Sequence, residues 1–163
     1  MGGKRLWPNF NAPVVTALPT GYTGQVVSYL GNLHYYDWAG WINFMKKFVT
    51  FNIDGWGSVI STGAKGFVIV PYAMTITGWT LIADVSGSIV IDVWKDTYAN
   101  HPPVGGDSIA GSEKPTLSSV IKNQDNTLTT WTTWVLAWDI LRFNVDSVST
   151  VKYVALLIEW TLT

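Results

Sequence analysis

The side chains best suited to chemistry are few. His34 and His101 are the only histidines, separated by 66 residues, and the chain contains no cysteine. Two imidazoles with a carboxylate such as Asp37 or Asp107 make a possible metal set. No short histidine repeat supports it, however, and both residues fall in segments that read as surface turns. Asp84, Asp92, Asp96 and Asp107 lie close together in sequence, and paired carboxylates about 5 to 10 Å apart are the equipment of glycoside hydrolysis. Each also has a structural role open to it. Asp84 stands before Val85-Ser86-Gly87, which reads as a turn with amides to bind, and Asp92 stands on a polar strand face within reach of Arg142 or Lys95. Asp139 and Asp146 flank a strand, as turn residues do. The serines lack a histidine at any informative spacing, and Gly105-Gly106-Asp107-Ser108 has neither a calcium-loop nor a phosphate-loop pattern. The expectation is no catalytic residue, no metal and no cofactor.

Aromatic residues are the other candidates. Tyr72, Trp79, Trp94, Tyr98, Trp131, Trp134 and Trp138 suit core packing, subunit contact or stacking on sugar rings. Trp94 stands on the polar face of its strand and Tyr98 begins the longest loop. With His101, Trp134 and Trp138 they form the candidate surface for a receptor or a neighbouring subunit.

The elements that position these residues read as β. Alternation places Ile89, Ile91 and Val93 on one face, and Leu141, Phe143 and Val145 on one face with Arg142, Asn144 and Asp146 opposite. A slip of one residue would bury all three polar groups. Further strands are expected at 66–70, 74–83, 117–122, 131–136 and 152–161. The proline- and glycine-rich stretch 96–115 is a stiff loop. The expected fold is all-β, an antiparallel β-sandwich (jelly-roll-like) over residues 63–163.

Before it, residues 25–62 read as a small β-hairpin or meander element with a Gly31-Asn32 turn. Trp38, Trp41, Ile42, Met45 and Phe48 also fit a helical stripe, and strands are favoured there. Residues 1–24, rich in Pro, Gly and Asn but too apolar for a flexible tail, read as an extended anchoring arm in which Leu6, Trp7, Phe10 and Val14 dock on a neighbour.

Composition narrows the functional classes. Ten Lys and Arg against 11 Asp and Glu leave a net charge of −1, so no field gathers nucleic acid or anionic lipid. Charged residues are only 13% of the 163 and tryptophans number 10, a surface that calls for covering by partners. No stretch reads as a secretory signal or a bilayer span, so synthesis in the cytoplasm without export is expected.

The segment from about Gly63 onward resembles a domain that recurs at the carboxy end of tailed-phage structural proteins. The resemblance lies in TITGWTLIADVSGSIVIDVWKDTYANHPP (Thr75 to Pro103), DSIAGSEKPTLSS (Asp107 to Ser119) and LRFNVDSVST (Leu141 to Thr150). The stretch GQVVSYLGNLHYYDWAGW is similar to a short β element of phage fibres and decorations. The resemblance implies a virion-surface β-sandwich, commonly trimeric, used for adhesion or decoration rather than catalysis. Ala137-Trp138-Asp139 departs from the family pattern, which usually places Gly before the Asp; Trp138 needs room and the turn is expected to be reshaped.

The resulting expectation is a capsid decoration or head fibre, since a Met1 start and 163 residues leave no room for a long shaft. A receptor-binding tip of a tail fibre is the alternative, and a polysaccharide-degrading spike is a third reading from another class. Expected partners are two further copies of the chain, the major capsid protein or a fibre or tail protein, and a host surface glycan, with no nucleic acid and no membrane insertion.

Overall fold

The computed structural model describes residues 14–15, 26–29, 32–36, 39, 41–43 and 46–162. The chain divides into two compact units, Met1–Lys46 and Lys47–Thr163. Leu6, Trp7, Phe10, Asp37 and Trp38 lie outside the described residues.

The first unit holds a four-stranded sheet in the order β1 (Val14–Val15), β2 (Val26–Tyr29), β3 (Asn32–Tyr36) and β4 (Trp41–Asn43). The strand reading of residues 38–48 prevails over the helical one wherever those residues are described: β4 pairs Trp41 with Tyr36 and Asn43 with His34. Asn32, expected in the turn, belongs to β3 and pairs with Tyr29 of β2. Within the expected arm, Val14–Val15 forms a strand parallel to Ser28 and Tyr29. Val27 and His34 stand opposite each other across β2 and β3, and both are buried. His34 is thus a buried strand residue and not a surface turn, because it lies in the middle of β3, paired with Val27 of β2 and Asn43 of β4.

The second unit begins earlier than the expected boundary at 63, because β5 (Lys46–Asp54) joins its sheet beside β11 (Tyr153–Leu162). Val49, Phe51 and Ile53 alternate inward there while Phe48, Thr50 and Asn52 or their neighbours face out, the period of a half-buried strand. The remaining strands are β6 (Gly63–Ile69), β7 (Met74–Asp96), β8 (Thr116–Asp125), β9 (Trp134–Val135) and β10 (Ile140–Ser149). Together they form one seven-stranded sheet, ordered β5-β11-β7-β10-β6, with β8 and β9 also on β7.

β7 organises this sheet. The expected turn at Val85-Ser86-Gly87 is absent, and β7 runs unbroken for 23 residues, well beyond the usual 3–10. Its amino-terminal half pairs with β11 from Met74↔Leu162 to Ala83↔Val154, and its carboxy-terminal half pairs with β10 from Ser88↔Ser149 to Asp96↔Ile140. Strands β10 and β11 therefore follow one another antiparallel to β7, while β8 pairs with both halves of β7.

All three lines of chain deform at the same level. The β7–β8 register shifts between Ile82 and Gly87, Ser119 and Thr150 adopt left-handed φ of 56° and 69°, and Thr150 sits between β10 and β11. Residue 87 has to be glycine: an added Cβ would lie 2.6 Å from Val151 Cγ2 and 2.8 Å from the Ser149 carbonyl. Polar side chains replace the interrupted ladder. Ser86 Oγ donates to the Ser119 carbonyl (2.9 Å), Ser119 N–H donates to Ser88 Oγ (3.0 Å), and the amides of Lys152 and Tyr153 donate to Asp84 Oδ1 at 3.2 and 3.1 Å. These bonds answer the backbone groups left unpaired where strands bulge.

The crease curls the sheet so that its halves face each other across one apolar core. Leu81, Leu156 and Ile158 from one half and Ile91, Val93, Leu141 and Phe143 from the other are all fully buried in it. Phe51 of β5 stacks on Phe143 of β10 with centroids 4.2 Å apart, over Gly66, where a side chain would meet the Phe51 ring at 2.9 Å. The fold is all-β and antiparallel in this unit, a single curled sheet joined through β7. The expected strand at 131–136 shrinks to Trp134–Val135, because Trp131 belongs to a turn and is buried with its indole donating to the Glu113 carbonyl at 3.0 Å. No helix among the described residues is long and apolar enough to cross a membrane.

The close approach at Gly87 sets a first prediction. Gly87→Ala forces the crease apart and lowers the stability of the protein by about 1–3 kcal/mol, measured by urea unfolding, whereas Ser58→Ala in an exposed loop leaves it within about 0.5 kcal/mol.

Candidate functional site

The outer face of β6, β7 and β10 carries the densest group of candidate residues. Cross-strand pairing sets Phe67, Arg142 and Trp94 in one row, followed by Ile69, Ile140 and Asp96 in the next. The loop from Thr97 to Pro115 lies over these rows. It contains two 3-10 turns, Tyr98–Asn100 and Gly105–Asp107, and returns to β7 through a bridge between Ser108 and Trp94.

The loop is tied at many points. Asp96 Oδ1 accepts the Thr97 amide (2.7 Å) and Asn100 Nδ2 (3.1 Å), Asp107 Oδ2 accepts the Val104 amide (2.7 Å), and the Ile109 amide donates to the Val93 carbonyl (2.9 Å). Arg142 Nη1 donates to the Pro103 carbonyl at 2.8 Å, with its guanidinium carbon 5.8 Å from the centre of the Trp94 ring. Trp94 is half-buried beneath this arrangement, and its cation contact is the kind that favours arginine over an aromatic face.

A buried carboxylate fastens the far end. Asp92 lies 4% exposed on β7. Its Oδ1 accepts Ser108 Oγ at 2.6 Å and its Oδ2 meets Lys114 Nζ at 2.8 Å. Lys114 also reaches Asp146 Oδ2 at 2.7 Å, and Asn144 Nδ2 donates to Asp146 Oδ1 at 2.7 Å. The partner of Asp92 is thus Lys114, not Arg142 or Lys95, which are engaged with Pro103 and, at 3.4 Å, with Asp139. Burial by itself pushes the Asp92 carboxyl upward, but the hydrogen bonds from Lys114 and Ser108 outweigh it and hold the pKa below the ordinary value. The Lys114 ammonium is shifted up by its bonds to Asp146 and Asp92.

Tyr98 and His101 stand at the crown of the loop. The imidazole of His101 meets the Phe67 ring edge-on at 5.1 Å, and a cavity of about 330 Å³ opens between Phe67, Ile69, Tyr98, His101 and Ile140. The sequence singles out Trp94, Tyr98 and His101 as candidates but not Phe67, Ile69 or Lys114, which the structure sets beside them. Phe67 and Ile69 alternate outward along β6, a signal that was legible. Lys114 has partners 22 and 32 residues away, which no local pattern marks.

Trp134 and Trp138 belong to a second exposed group. Trp138, 65% exposed, and Leu136 lie on the β9–β10 connection, whose Trp138 amide donates to the Val70 carbonyl at 2.6 Å, and Tyr72 follows on the β6–β7 connection. Trp138 has a left-handed φ of 71°, the conformation that glycine adopts freely. Asp139 Oδ2 accepts the Leu136 amide at 2.9 Å, so the turn closes on its own carboxylate.

Candidate metal and catalytic sets are dispersed. His34 and His101 lie in different units, and no group of three or more His, Asp or Glu residues suited to a metal occurs among the described residues. The aspartates divide between backbone amides and lysines: Asp84 serves the crease, Asp96 and Asp107 the loop, Asp92 and Asp139 their lysines. No protein-family model, no curated protein and no solved structure matches the chain.

Two predictions follow from these contacts. Asp92 has a depressed folded pKa, so its contribution is complete above the ordinary carboxylate range and disappears as pH falls through the folded value. Asp92→Asn lowers stability at pH 7 by about 1–3 kcal/mol, and the deficit shrinks in acid unfolding series as the wild type loses the same interaction. For Trp138, left-handed backbone costs about 1–2 kcal/mol and glycine's extra unfolded freedom offsets about 0.5–1 kcal/mol. Trp138→Gly therefore raises the thermal midpoint slightly, read by calorimetry.

Proposed function

We propose that this chain is a non-enzymatic structural protein of a tailed-phage virion, a surface appendage that assembles as an oligomer and projects its β unit. The observation that carries the reading is the aromatic end of the curled sheet, where Tyr72, Leu136 and Trp138 stand 66%, 49% and 65% exposed on two connections hydrogen-bonded to each other. Exposed apolar surface of this kind marks contact with other chains. With charged residues at 13%, burial in an assembly stabilises the particle by about 25 cal/mol for each Å² of apolar surface covered, less the entropic cost of association.

The resemblance of Thr75 to Pro103, Asp107 to Ser119 and Leu141 to Thr150 to carboxy-terminal domains of phage structural proteins supports the virion setting. A trimer is the expected assembly, with a jelly-roll-like sandwich as the finer description of the fold. The major capsid protein is the expected platform for a decoration or head fibre. The engagement of the aspartates with amides and lysines favours this reading over polysaccharide cleavage. A second reading, the receptor-binding tip of a tail fibre, is favoured by the exposed Tyr98 and by His101, which meets the Phe67 ring edge-on.

Light scattering of the purified full chain should give three times its 18.0 kDa mass; a monomer at all concentrations overturns the assembly reading. Immunogold labelling of phage particles carrying the gene should decorate the head, label at the tail tip selects the second reading, and unlabelled particles overturn both.

A further inference from the structure

We infer that, independently of any assembly, residues 97–108 form an acid-released lid over the outer face of β7 and β10, fastened by carboxylates and able to open while the sheet beneath stays folded.

The long loop is attached in two unlike ways. Its second part is sealed by burial and by backbone bonds. Ile109, Ala110 and Pro115 are buried. The Ile109 amide donates to the Val93 carbonyl (2.9 Å), the Thr132 amide to the Ile109 carbonyl (2.8 Å) and the Ile91 amide to the Pro115 carbonyl (2.9 Å). None of these bonds responds to pH. Before Ile109, burial holds little, since Pro103 is the one buried residue between Thr97 and Ser108. One buried proline does not offset the entropy of ordering a segment of that length.

That first part is held instead by acidic side chains. Asp96 Oδ1 gathers the start of the lid by accepting the Thr97 amide and Asn100 Nδ2, and Asp107 Oδ2 closes its second turn on the Val104 amide. At the far hinge Asp92 Oδ1 accepts Ser108 Oγ, while Lys114, pinned between Asp92 and Asp146, holds the chain just beyond. Hydrogen bonds to an ionised acceptor are roughly twice as strong as neutral ones, so protonation weakens all of these ties together. Burial pushes the Asp92 carboxyl up, but its bonds to Lys114 and Ser108 hold it below the ordinary value. The clasp is therefore complete above the ordinary carboxylate range and is lost as pH falls through the lower folded value.

The surrounding charges offer no replacement. From β10, Arg142 reaches the Pro103 carbonyl, a single tie that acid leaves in place. Lys95 of β7 is engaged with Asp139, and Glu113 accepts the Thr130 amide. From β6, Phe67 and Ile69 face Tyr98 and His101, the lid's other titratable side chains, and His101 meets the Phe67 ring edge-on. Opening has a consequence for what lies beneath. Gly105 rests on Trp94, where an added Cβ would stand 3.8 Å from Cζ2, and the Trp94 indole nitrogen is buried. Trp94 and Phe67 share one cross-strand row, so a raised lid widens the apolar surface which that row shows to solvent.

The test is hydrogen exchange by NMR on the full-length protein, corrected for the intrinsic effect of pH, between about pH 7 and pH 3.5. The reporters are the amides of Asn100, Val104 and Asp107 and the Trp94 indole N–H; the references are the amides of Ile91 and Ile109. Reporter protection should fall about tenfold or more across that range while the references hold. The double variant Asp96→Asn, Asp107→Asn, with neutral acceptors in place of two carboxylates, should show the opened lid already at about pH 7. Asp125→Asn, on a turn elsewhere, should leave it closed. Reporters that lose protection only in step with Ile91 and Ile109 make the acid response global unfolding and overturn the inference. A double variant as protected as the wild type at neutral pH overturns it as well, and so does an acid opening that His101→Gln abolishes.

Discussion

The crease shared by β7, β8 and the β10–β11 junction is the constraint on which the second unit depends. A strand of 23 residues left straight would hold a flat ribbon with both faces wet. Bending at Gly87, Ser119 and Thr150 converts that ribbon into two facing leaves and gives Phe51 its place on Phe143. The bend is possible because one residue has no side chain and because Asp84, Ser86 and Ser88 supply the hydrogen bonds that the ladder loses there. The most polar stretch of β7 thus makes its apolar stretches useful.

The same geometry decides what lies outside. With the core satisfied by the inner faces, the outer face of β6, β7 and β10 can carry Phe67, Ile69, Arg142 and Trp94, and the long loop settles on them. Its attachments are of two kinds, neutral bonds along the backbone near Pro103 and Ile109, and the charged clasp of Asp92, Lys114 and Asp146. The clasp operates partly out of solvent, where a charge is favourable only with its counter-charge and a second donor in place. Ser108 and Lys114 provide both for Asp92.

Alternation made much of this readable in the sequence. Periodicity groups Ile89, Ile91 and Val93 on one face and Leu141, Phe143 and Val145 on another that must turn inward, and all six are buried. What failed was the reading of Asp84-Val85-Ser86-Gly87 as a chain reversal. Local composition reports that the ladder is interrupted, but a bulge that bends a strand and a turn that reverses it use the same residues. Whether the interruption reverses the chain depends on β10 and β11, which lie far downstream in the sequence. The expected boundary at 63 misses β5, whose place in the second sheet is set by a distant partner, β11. Among the site residues, Trp94, Tyr98 and His101 stood out as aromatics in polar company. The clasp and the Phe67 platform required the tertiary pairing of β6 with β10.

The pairing of Met74 with Leu162 and of Ala83 with Val154 has a consequence for how the molecule comes into being. The amino-terminal half of β7 takes β8 and β9 on one edge but finds its other edge partner only in β11, so during synthesis one edge emerges long before the strand that seals it. Nearly all the decisive contacts span large sequence separations, the regime in which loop-closure entropy slows folding. The nascent chain therefore holds an open, sticky edge until β11 has left the ribosome, and closure of the sheet waits for that strand.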